Sequence, residues 1–147
     1  MAALQGKIAL VTGASSGLGA ETAQLLSRQG ATVFGIARNA DRLAEVFADI
    51  EGGGYALVDV ASAQACRGAV EQCVAKFGGL DVLINVAGRH QMHRTELMSD
   101  EDWAEDLATN LSGPFYLCRA ALPHLVGLQR ERPRPDHALV RHGPGRR

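Results

Sequence analysis

The chain has 147 residues, of which 46% are hydrophobic and 21% are charged, a composition typical of one soluble globular domain. Its formal net charge of −1 gives no electrostatic field for nucleic acid or an anionic membrane surface, so we expect neither partner. No apolar run approaches the length of a membrane span, and the start MAALQGKIALV lacks a signal-peptide pattern. Three cysteines without a CxxC pair suit a reducing compartment, which predicts a cytoplasmic protein.

Four short apolar runs predict buried strands, and helical segments separate them. The runs cover residues 7–13, 31–37, 55–60 and 80–88. The intervening helices should bury two stripes, namely Leu43, Phe47 and Ile50, and then Cys66, Val70, Cys73 and Phe77. This regular alternation predicts a βαβαβαβ chain, which is an α/β, Rossmann-like, doubly wound parallel sheet with helices on both faces.

A further helix is predicted from residue 99 onward. Ser99, with Asp102 three residues later, indicates a capping start, and Gly113-Pro114 should kink the helix because proline removes one backbone hydrogen bond. The apolar residues at helical spacing, which we expect to be buried, are Trp103, Leu107 and Leu111.

The stretch TGASSGLG, residues 12–19, lies at the turn between the first strand and its helix. Glycine is needed at such a turn, because some positions require positive φ and a side chain would hold the backbone away from a pyrophosphate. A helix that begins at about Ser16 would attract this anion with unpaired N–H groups, and the hydroxyls of Ser15 and Ser16 can add donors. An ordinary glycine-rich turn is the alternative, but the surrounding βαβ pattern favours a dinucleotide site.

The spacing Gly13-x-x-x-Gly17-x-Gly19 resembles that of the short-chain dehydrogenase/reductase family. Four further segments within residues 1–126 resemble the family in order: Asp59-Val60, Asn85-Val86-Ala87-Gly88, Asn110-Leu111-Ser112-Gly113 and Leu122-Pro123. The first is similar to the family's adenine-contacting pair. The second is similar to its Asn-Asn-Ala-Gly motif, with valine at one position, and the third to the segment that carries its catalytic asparagine. The last is similar to the usual end of that helix.

The resemblance implies an NAD(P)-dependent oxidoreductase that moves a hydride between nicotinamide and a small alcohol or carbonyl substrate. It also implies assembly of identical chains through the helix that contains Asn110, the expected catalytic asparagine. The cofactor-binding residues that it implies are Thr12, Gly13, Ser15, Ser16, Gly17, Leu18, Gly19, Arg38, Asp59, Val60, Asn85, Ala87 and Gly88.

Ala37 and Arg38 indicate which dinucleotide is preferred. The acid that binds a ribose 2′-hydroxyl belongs at the end of the second strand, where this sequence has Ala37. Alanine removes the repulsion of a 2′-phosphate, and the guanidinium of Arg38 can hold that phosphate with two hydrogen bonds. We therefore expect NADP rather than NAD. The alternative is that Arg38 only caps a solvated loop near Asp41 and Arg42.

The proton-transfer residues of the family are absent from the 147 residues. In the family a tyrosine transfers the proton, and a lysine shortly after it lowers the tyrosine pKa from its usual value of about 10. The chain has two tyrosines and two lysines, Tyr55, Tyr116, Lys7 and Lys76, and no Tyr-x-x-x-Lys pair. We expect no turnover by this chain alone, and a non-catalytic dinucleotide-binding module or a truncated gene product are the alternatives. His90-x-x-His93 lacks a third ligand, so no metal site is predicted.

The end of the chain differs in composition from the rest. Arg, Pro and Gly supply 11 of the last 20 residues, which include six basic and two acidic side chains. These residue types come from GC-rich codons, so we expect a family-like domain over 1–126, truncated after the fourth strand and the following helix. Residues 127–147 would then be a disordered or frameshifted tail, and the fourth strand an exposed sheet edge.

Overall fold

The computed structural model describes residues 2–90 and 94–127, and a parallel sheet of four strands forms its centre. The strands are β1 (Ile8–Thr12), β2 (Thr32–Ala37), β3 (Gly54–Leu57) and β4 (Val82–Ile84). They lie in the order β3-β2-β1-β4, and Leu10 of β1 pairs with both Phe34 of β2 and Leu83 of β4. The strand order therefore reverses between β1 and β4, and the crevice at the carboxyl end of such a switch point commonly binds ligands.

Five α-helices occur among the described residues. They are α1 (Gly17–Arg28), α2 (Ala40–Ala48), α3 (Ala63–Phe77), α4 (Asp100–Leu107) and α5 (Gly113–Gly127). Asn39, Ser62 and Ser99 begin α2, α3 and α4, and each side chain accepts the N–H of the residue three positions later. The predicted capping start at Ser99 is confirmed.

Alternate residues of the strands contribute to two separate hydrophobic clusters. Val11 and Val33 belong to the cluster with α1 and α2, whereas Leu10 and Phe34 belong to the cluster with α3 and α5. The doubly wound fold is thereby confirmed. Both predicted helical stripes are also confirmed, with Phe77 only partly buried and the other members buried: Leu43, Phe47, Ile50, Cys66, Val70 and Cys73.

β3 and β4 are shorter than the sequence predicts. The apolar runs 55–60 and 80–88 continue beyond the sheet ladders, which end at Leu57 and Ile84. Val58 keeps one bond to the neighbouring strand, since its N–H donates to the carbonyl oxygen of Ala37 at 2.9 Å. Asp59 and Val60 follow the end of β3, and residues 85–88 follow the end of β4, at the carboxyl edge of the sheet. An apolar run does not distinguish a strand from the connection that follows it.

The predicted burial of the apolar stripe on α4 is wrong. Trp103, Leu107 and Leu111 are 55%, 36% and 66% exposed. Among the described elements, neither the sheet nor another α-helix makes more than a weak contact with α4. α4 instead directs the buried Asp106 toward the loop after β4. Helical spacing identifies an apolar face but does not show what covers it.

The helix break predicted at Gly113-Pro114 lies immediately before it, as a π-helical turn over Ala108–Ser112 that joins α4 to α5. Pro114 has no N–H to donate to the carbonyl of Asn110, four residues earlier, so regular α-helical bonding fails at this point. π-helical turns are rare and often occur at functional sites. The turn places Asn110 against the loop that follows β4.

α5 runs through Pro123 to Gly127, beyond the end that Leu122-Pro123 suggests. β4 lies at one edge of the described sheet, as expected. Residues 128–147, which include most of the predicted tail, lie outside the described residues, and so does His93. None of the described helices is long and apolar enough to cross a bilayer.

The three cysteines should differ in thiol reactivity. Burial raises the pKa of Cys73 to about 11, and burial together with the Asp59 carboxylate raises the pKa of Cys66, whereas Cys118 is exposed. The thiolate is the nucleophile, and only about one-thousandth of a thiol with a pKa of about 11 is in the thiolate form at pH 8. We expect one fast-reacting thiol per native chain in a colorimetric thiol assay, and Cys118→Ser should remove it. Two or three fast thiols would contradict the described packing.

Candidate functional site

A cavity of about 490 Å³ opens at the carboxyl ends of β1, β2 and β3, a volume within the usual range for small-molecule sites. Its walls come from the turn after β1, the start of α2, the residues after β3, the loop after β4 and the π-helical turn. The lining residues are Gly13, Ser15, Ser16, Ile36, Ala37, Arg38, Asn39, Arg42, Val58, Asp59, Val60, Val86, Ala87, Gly88 and Thr109.

Two glycines in the turn after β1 are required by geometry. Gly13 has φ of 67°, and a Cβ there would lie 3.0 Å from the backbone N and Cα of Ala87. A Cβ at Gly19 would lie 2.1 Å from the carbonyl oxygen of Gly13. The loop after β4 can approach Gly13 only because Gly13 lacks a side chain, and the first turn of α1 can pack against Gly13 only because Gly19 lacks one. Gly13 itself lies on the cavity lining, together with Ser15 and Ser16.

The N-terminus of α1 offers unpaired donors to the cavity. Ser16 is the N-cap residue, with extended φ of −166°, and its hydroxyl makes no capping bond. The first N–H bonded back to this residue is that of Ala20, so the preceding N–H groups of the turn lack intrahelical acceptors. No acidic side chain lies in the first turn. A ligand phosphate would therefore meet an uncompensated positive helix end.

The start of α2 forms a basic end of the cavity. Asn39 caps α2 by accepting the Arg42 N–H at 3.0 Å, and this turn places Arg38 and Arg42 on the same lining. In the part of the chain that the structure describes, neither guanidinium makes an ion pair. Two unneutralised arginines beside one cavity favour a ligand with a second anionic group.

The residues after β3 supply an apolar surface and one carboxylate. Val58 and Val60 are buried, and Ile36 of β2 lies on the same lining. Asp59 accepts the Ala61 N–H with Oδ1 at 3.0 Å, which fixes the orientation of its carboxylate. A flat heteroaromatic ring with an exocyclic amino group would match this combination of apolar surface and hydrogen-bond acceptor.

Thr12 holds the loop after β4 against the end of β1. Its hydroxyl oxygen accepts the N–H groups of Val86 and Ala87 at 2.9 and 2.8 Å, and the residue is 1% exposed. The hydroxyl is therefore used within the protein and lies beneath the cavity rather than on its lining. Asn85 is also off the lining, and its Nδ2 donates to the Cys118 sulfur at 3.7 Å.

Asn110, the expected catalytic asparagine, is bonded on both sides of its amide to Arg89. Its Oδ1 accepts the Arg89 N–H at 2.7 Å, and its Nδ2 donates to the Arg89 carbonyl oxygen at 2.6 Å. Thr109, next to it in the π-helical turn, lines the cavity. In this arrangement Asn110 positions the loop after β4, and a direct role in the reaction stays a prediction.

The predicted residues divide into those on the cavity lining and those behind it. On the lining are Gly13, Ser15, Ser16, Arg38, Asp59, Val60, Ala87 and Gly88. Behind or beside it are Thr12, Gly17, Leu18, Gly19, Asn85 and Asn110. Arg42 and Asn39 are lining residues that sequence reasoning did not assign to the site. The Asn-x-x-Arg spacing at the start of α2 is the signal that could have identified them, because an N-cap brings these two residues together.

No tyrosine and lysine are paired within the described residues. Tyr55 lies on the edge strand β3, and Tyr116 lies on α5, 5.6 Å from the Arg119 guanidinium. Lys7 pairs with Asp81, and Lys76 donates to the carbonyl oxygen of Gly53. The described residues also hold no cluster of three metal-ligating side chains.

A Rossmann-type nucleotide-binding site is the class that this fold and cavity define. The family model for short chain dehydrogenase matches residues 7–133, and the chain belongs to this family. The match ends inside the segment predicted as a tail, so the domain boundary at residue 126 stays a prediction.

Individual relatives agree with this assignment. The chain is 39% identical to D-threitol dehydrogenase of Mycolicibacterium smegmatis over 122 residues, which are 80% of this chain and 46% of the relative. The structure of an actinorhodin polyketide ketoreductase variant with NADPH matches with a TM-score of 0.80 and 34% identity, covering 88% of this chain and 51% of the other.

A Burkholderia cenocepacia short chain dehydrogenase in complex with NADP matches with a TM-score of 0.80 and 36% identity. This match covers 83% of the present chain and 52% of the other. The chain thus spans about half the length of these relatives.

Removing the Thr12 hydroxyl should loosen the wall of the cavity. Thr12→Val keeps the shape of the side chain but leaves two backbone N–H groups without an acceptor, which should cost about 1–3 kcal/mol of unfolding free energy. Urea denaturation measures this cost. Thr22→Val is the matched control, because its hydroxyl bonds only to the Leu18 carbonyl in an exposed helical turn. Equal stability of the two variants would contradict the role given to Thr12.

Proposed function

We propose that this chain binds NADP in the cavity at the carboxyl ends of β1, β2 and β3. We also propose that it is the dinucleotide-binding part of an oxidoreductase that acts on an alcohol or a carbonyl. The observation that supports this most strongly is that one cavity joins a helix N-terminus without acidic residues in its first turn to two arginines that make no ion pair with any described residue. A dinucleotide with an additional ribose phosphate carries anionic groups at both places. When bound, such a cofactor supplies or accepts the hydride.

Each part of the lining has a role in this proposal. The turn after β1, with Ser15 and Ser16, holds the diphosphate through backbone N–H groups and hydroxyls. Val58 and Val60 contact the adenine ring, and the Asp59 carboxylate accepts a hydrogen bond from its amino group. The loop that contains Ala87 and Gly88 approaches the ribose on the nicotinamide side, where the absence of a side chain on Gly88 gives space.

The preference for NADP rests on Ala37 and Arg38. Ala37 ends β2 without a carboxylate that would bind a 2′-hydroxyl and repel a 2′-phosphate. Arg38 can hold this phosphate with two hydrogen bonds, and Arg42 adds a second positive charge on the same side. Two of the similar solved structures contain NADPH or NADP, which agrees with this choice.

A non-catalytic dinucleotide-binding module is the second candidate, and one observation favours it. Neither tyrosine of the chain has a lysine at the spacing that the family uses for proton transfer, so we expect no turnover by the chain alone. A gene product without function is a third candidate, and it differs from both others in having no cofactor affinity.

We infer further that the chain is cytoplasmic and associates with identical chains. Three unpaired cysteines suit a reducing compartment. The exposed apolar stripe of α4, formed by Trp103, Leu107 and Leu111, leaves apolar area that a second copy would cover.

Exchanging the residues at the end of β2 should change the cofactor preference. The double variant Ala37→Asp, Arg38→Gln loses the phosphate contact and gains an acceptor for a 2′-hydroxyl. Since a hydrogen bond to a charged group contributes about 1.5–3 kcal/mol, NADPH affinity should fall about 10- to 100-fold, while NADH affinity rises. Fluorescence titration of both cofactors measures this, with Arg28→Gln, far along α1, as control. An unchanged ratio of the two affinities would contradict the assignment.

The purified chain should bind NADPH without oxidising it. NADPH should raise the unfolding temperature, whereas absorbance at 340 nm should stay constant in the presence of a panel of aldehydes and ketones, because no tyrosine–lysine pair can supply the proton. Turnover at an ordinary enzymatic rate of about 1–1000 s⁻¹ would contradict the second part. Well-folded material that takes up no NADPH would contradict the first part and favour a gene product without function.

A further inference from the structure

Arg89 lies between four polar groups at the end of the loop after β4. Its guanidinium forms ion pairs with Glu105, with Asp106 at 3.3 Å (Nε to Oδ1) and with Asp102 at 4.0 Å. Its backbone N–H and carbonyl are both bonded to the Asn110 side chain, at 2.7 and 2.6 Å. Both the side chain and the backbone of one residue are therefore attached to α4 and the π-helical turn.

Asp106 makes this network more than a surface ion pair. It is 8% exposed, and its Oδ1 is sealed from solvent without a hydrogen bond among the described residues. A buried carboxylate needs a compensating charge, and Arg89 Nε is the cation within ion-pair distance of this oxygen. The Arg89 side chain is itself only 27% exposed, so solvent screens the pair less than it screens a pair on the surface. Removing the Arg89 guanidinium would therefore leave a buried carboxylate without its compensating charge.

The network connects two walls of the cavity. Arg89 directly follows Gly88, and Asn110 directly follows Thr109, while Gly88 and Thr109 both line the cavity. Arg89 itself is not on the lining. Holding Arg89 against α4 therefore fixes the distance between the loop after β4 and the π-helical turn, without any contact between Arg89 and a ligand.

We propose that Arg89 is a positioning residue of the dinucleotide cavity, acting through its ion pairs with Asp102, Glu105 and Asp106. The inference rests on the proposed cofactor site and adds to it a residue that sets affinity from behind the wall. Supporting groups of this kind keep a binding site in its productive geometry before the ligand arrives. Lysine can replace only part of the arrangement, because its single ammonium cannot bridge three carboxylates as a planar guanidinium can.

NADPH titration of four variants tests the proposal. Arg89→Ala should raise the NADPH dissociation constant about tenfold, because it removes the cation from a buried carboxylate, and Arg89→Lys should restore part of the loss. Glu105→Gln should weaken binding less. The double variant Arg89→Ala, Glu105→Gln should bind no worse than Arg89→Ala, since both act through one contact. Arg94→Ala is the matched control, because Arg94 pairs with Glu96 at 3.5 Å and is 80% exposed.

The possible outcomes distinguish a failure of the positioning role of Arg89 from a failure of the proposed NADP site. If the wild-type chain binds NADPH and Arg89→Ala binds it equally well, the positioning role is overturned while the site stands. If the effects of Arg89→Ala and Glu105→Gln add, Arg89 does not act through its ion pair with Glu105 and the proposal is also overturned. If Arg89→Ala does not fold, Arg89→Lys and Glu105→Gln decide the question by their dissociation constants. No NADPH uptake by the wild-type chain overturns both proposals.

Discussion

The Thr12 hydroxyl oxygen accepts two backbone N–H groups, and this contact ties the end of β1 to the loop after β4. β1 and β4 flank the switch point of the sheet, so the contact decides how wide the crevice between them is. The same close approach leaves no room for a Cβ at Gly13. The turn after β1 and the loop after β4 are thus fixed by a buried polar contact. Arg89 and Asn110 also hold this loop in place. Arg89 does so by ion pairs with α4, and Asn110 by hydrogen bonds to the Arg89 backbone.

The fold could be predicted from sequence wherever the spacing of apolar residues follows one regular pattern, of a strand or of a helix, along a whole element. Strands buried on both faces read as continuous apolar runs, and α2 and α3 bury the faces that their spacing indicates. The prediction fails where contacts with distant parts of the chain determine where a strand ends or whether a side chain is buried. Residues 85–88 are as apolar as a strand, yet they leave the ladder because Thr12 holds them at the end of β1. Trp103 has the spacing of a core residue, yet no described element covers it, and spacing carries no information on coverage.

The site could be predicted where its chemistry is local. The turn after β1 combines glycines, hydroxyls and a helix start within eight residues, so its anion-binding character is visible in one segment. Arg38 follows from its place at the end of a strand. The contacts of Thr12 could not be predicted in this way, because they join residues 74 and 75 positions apart. The same holds for Arg89, whose three carboxylates and asparagine come from a different helix and turn. A motif can mark these residues as important without showing that they act behind the cavity.

The cavity takes its lining from segments as distant in sequence as Gly13 and Thr109, and this has a consequence for folding equilibria. A molecule that fills it contacts the native arrangement of every strand end at once and has no comparable partner in the unfolded chain. Binding of such a molecule therefore raises the free energy of unfolding, by about 2.7 kcal/mol when the free molecule is present at a hundred times its dissociation constant. The stability of this polypeptide would then depend on the concentration of that ligand as well as on the hydrophobic core.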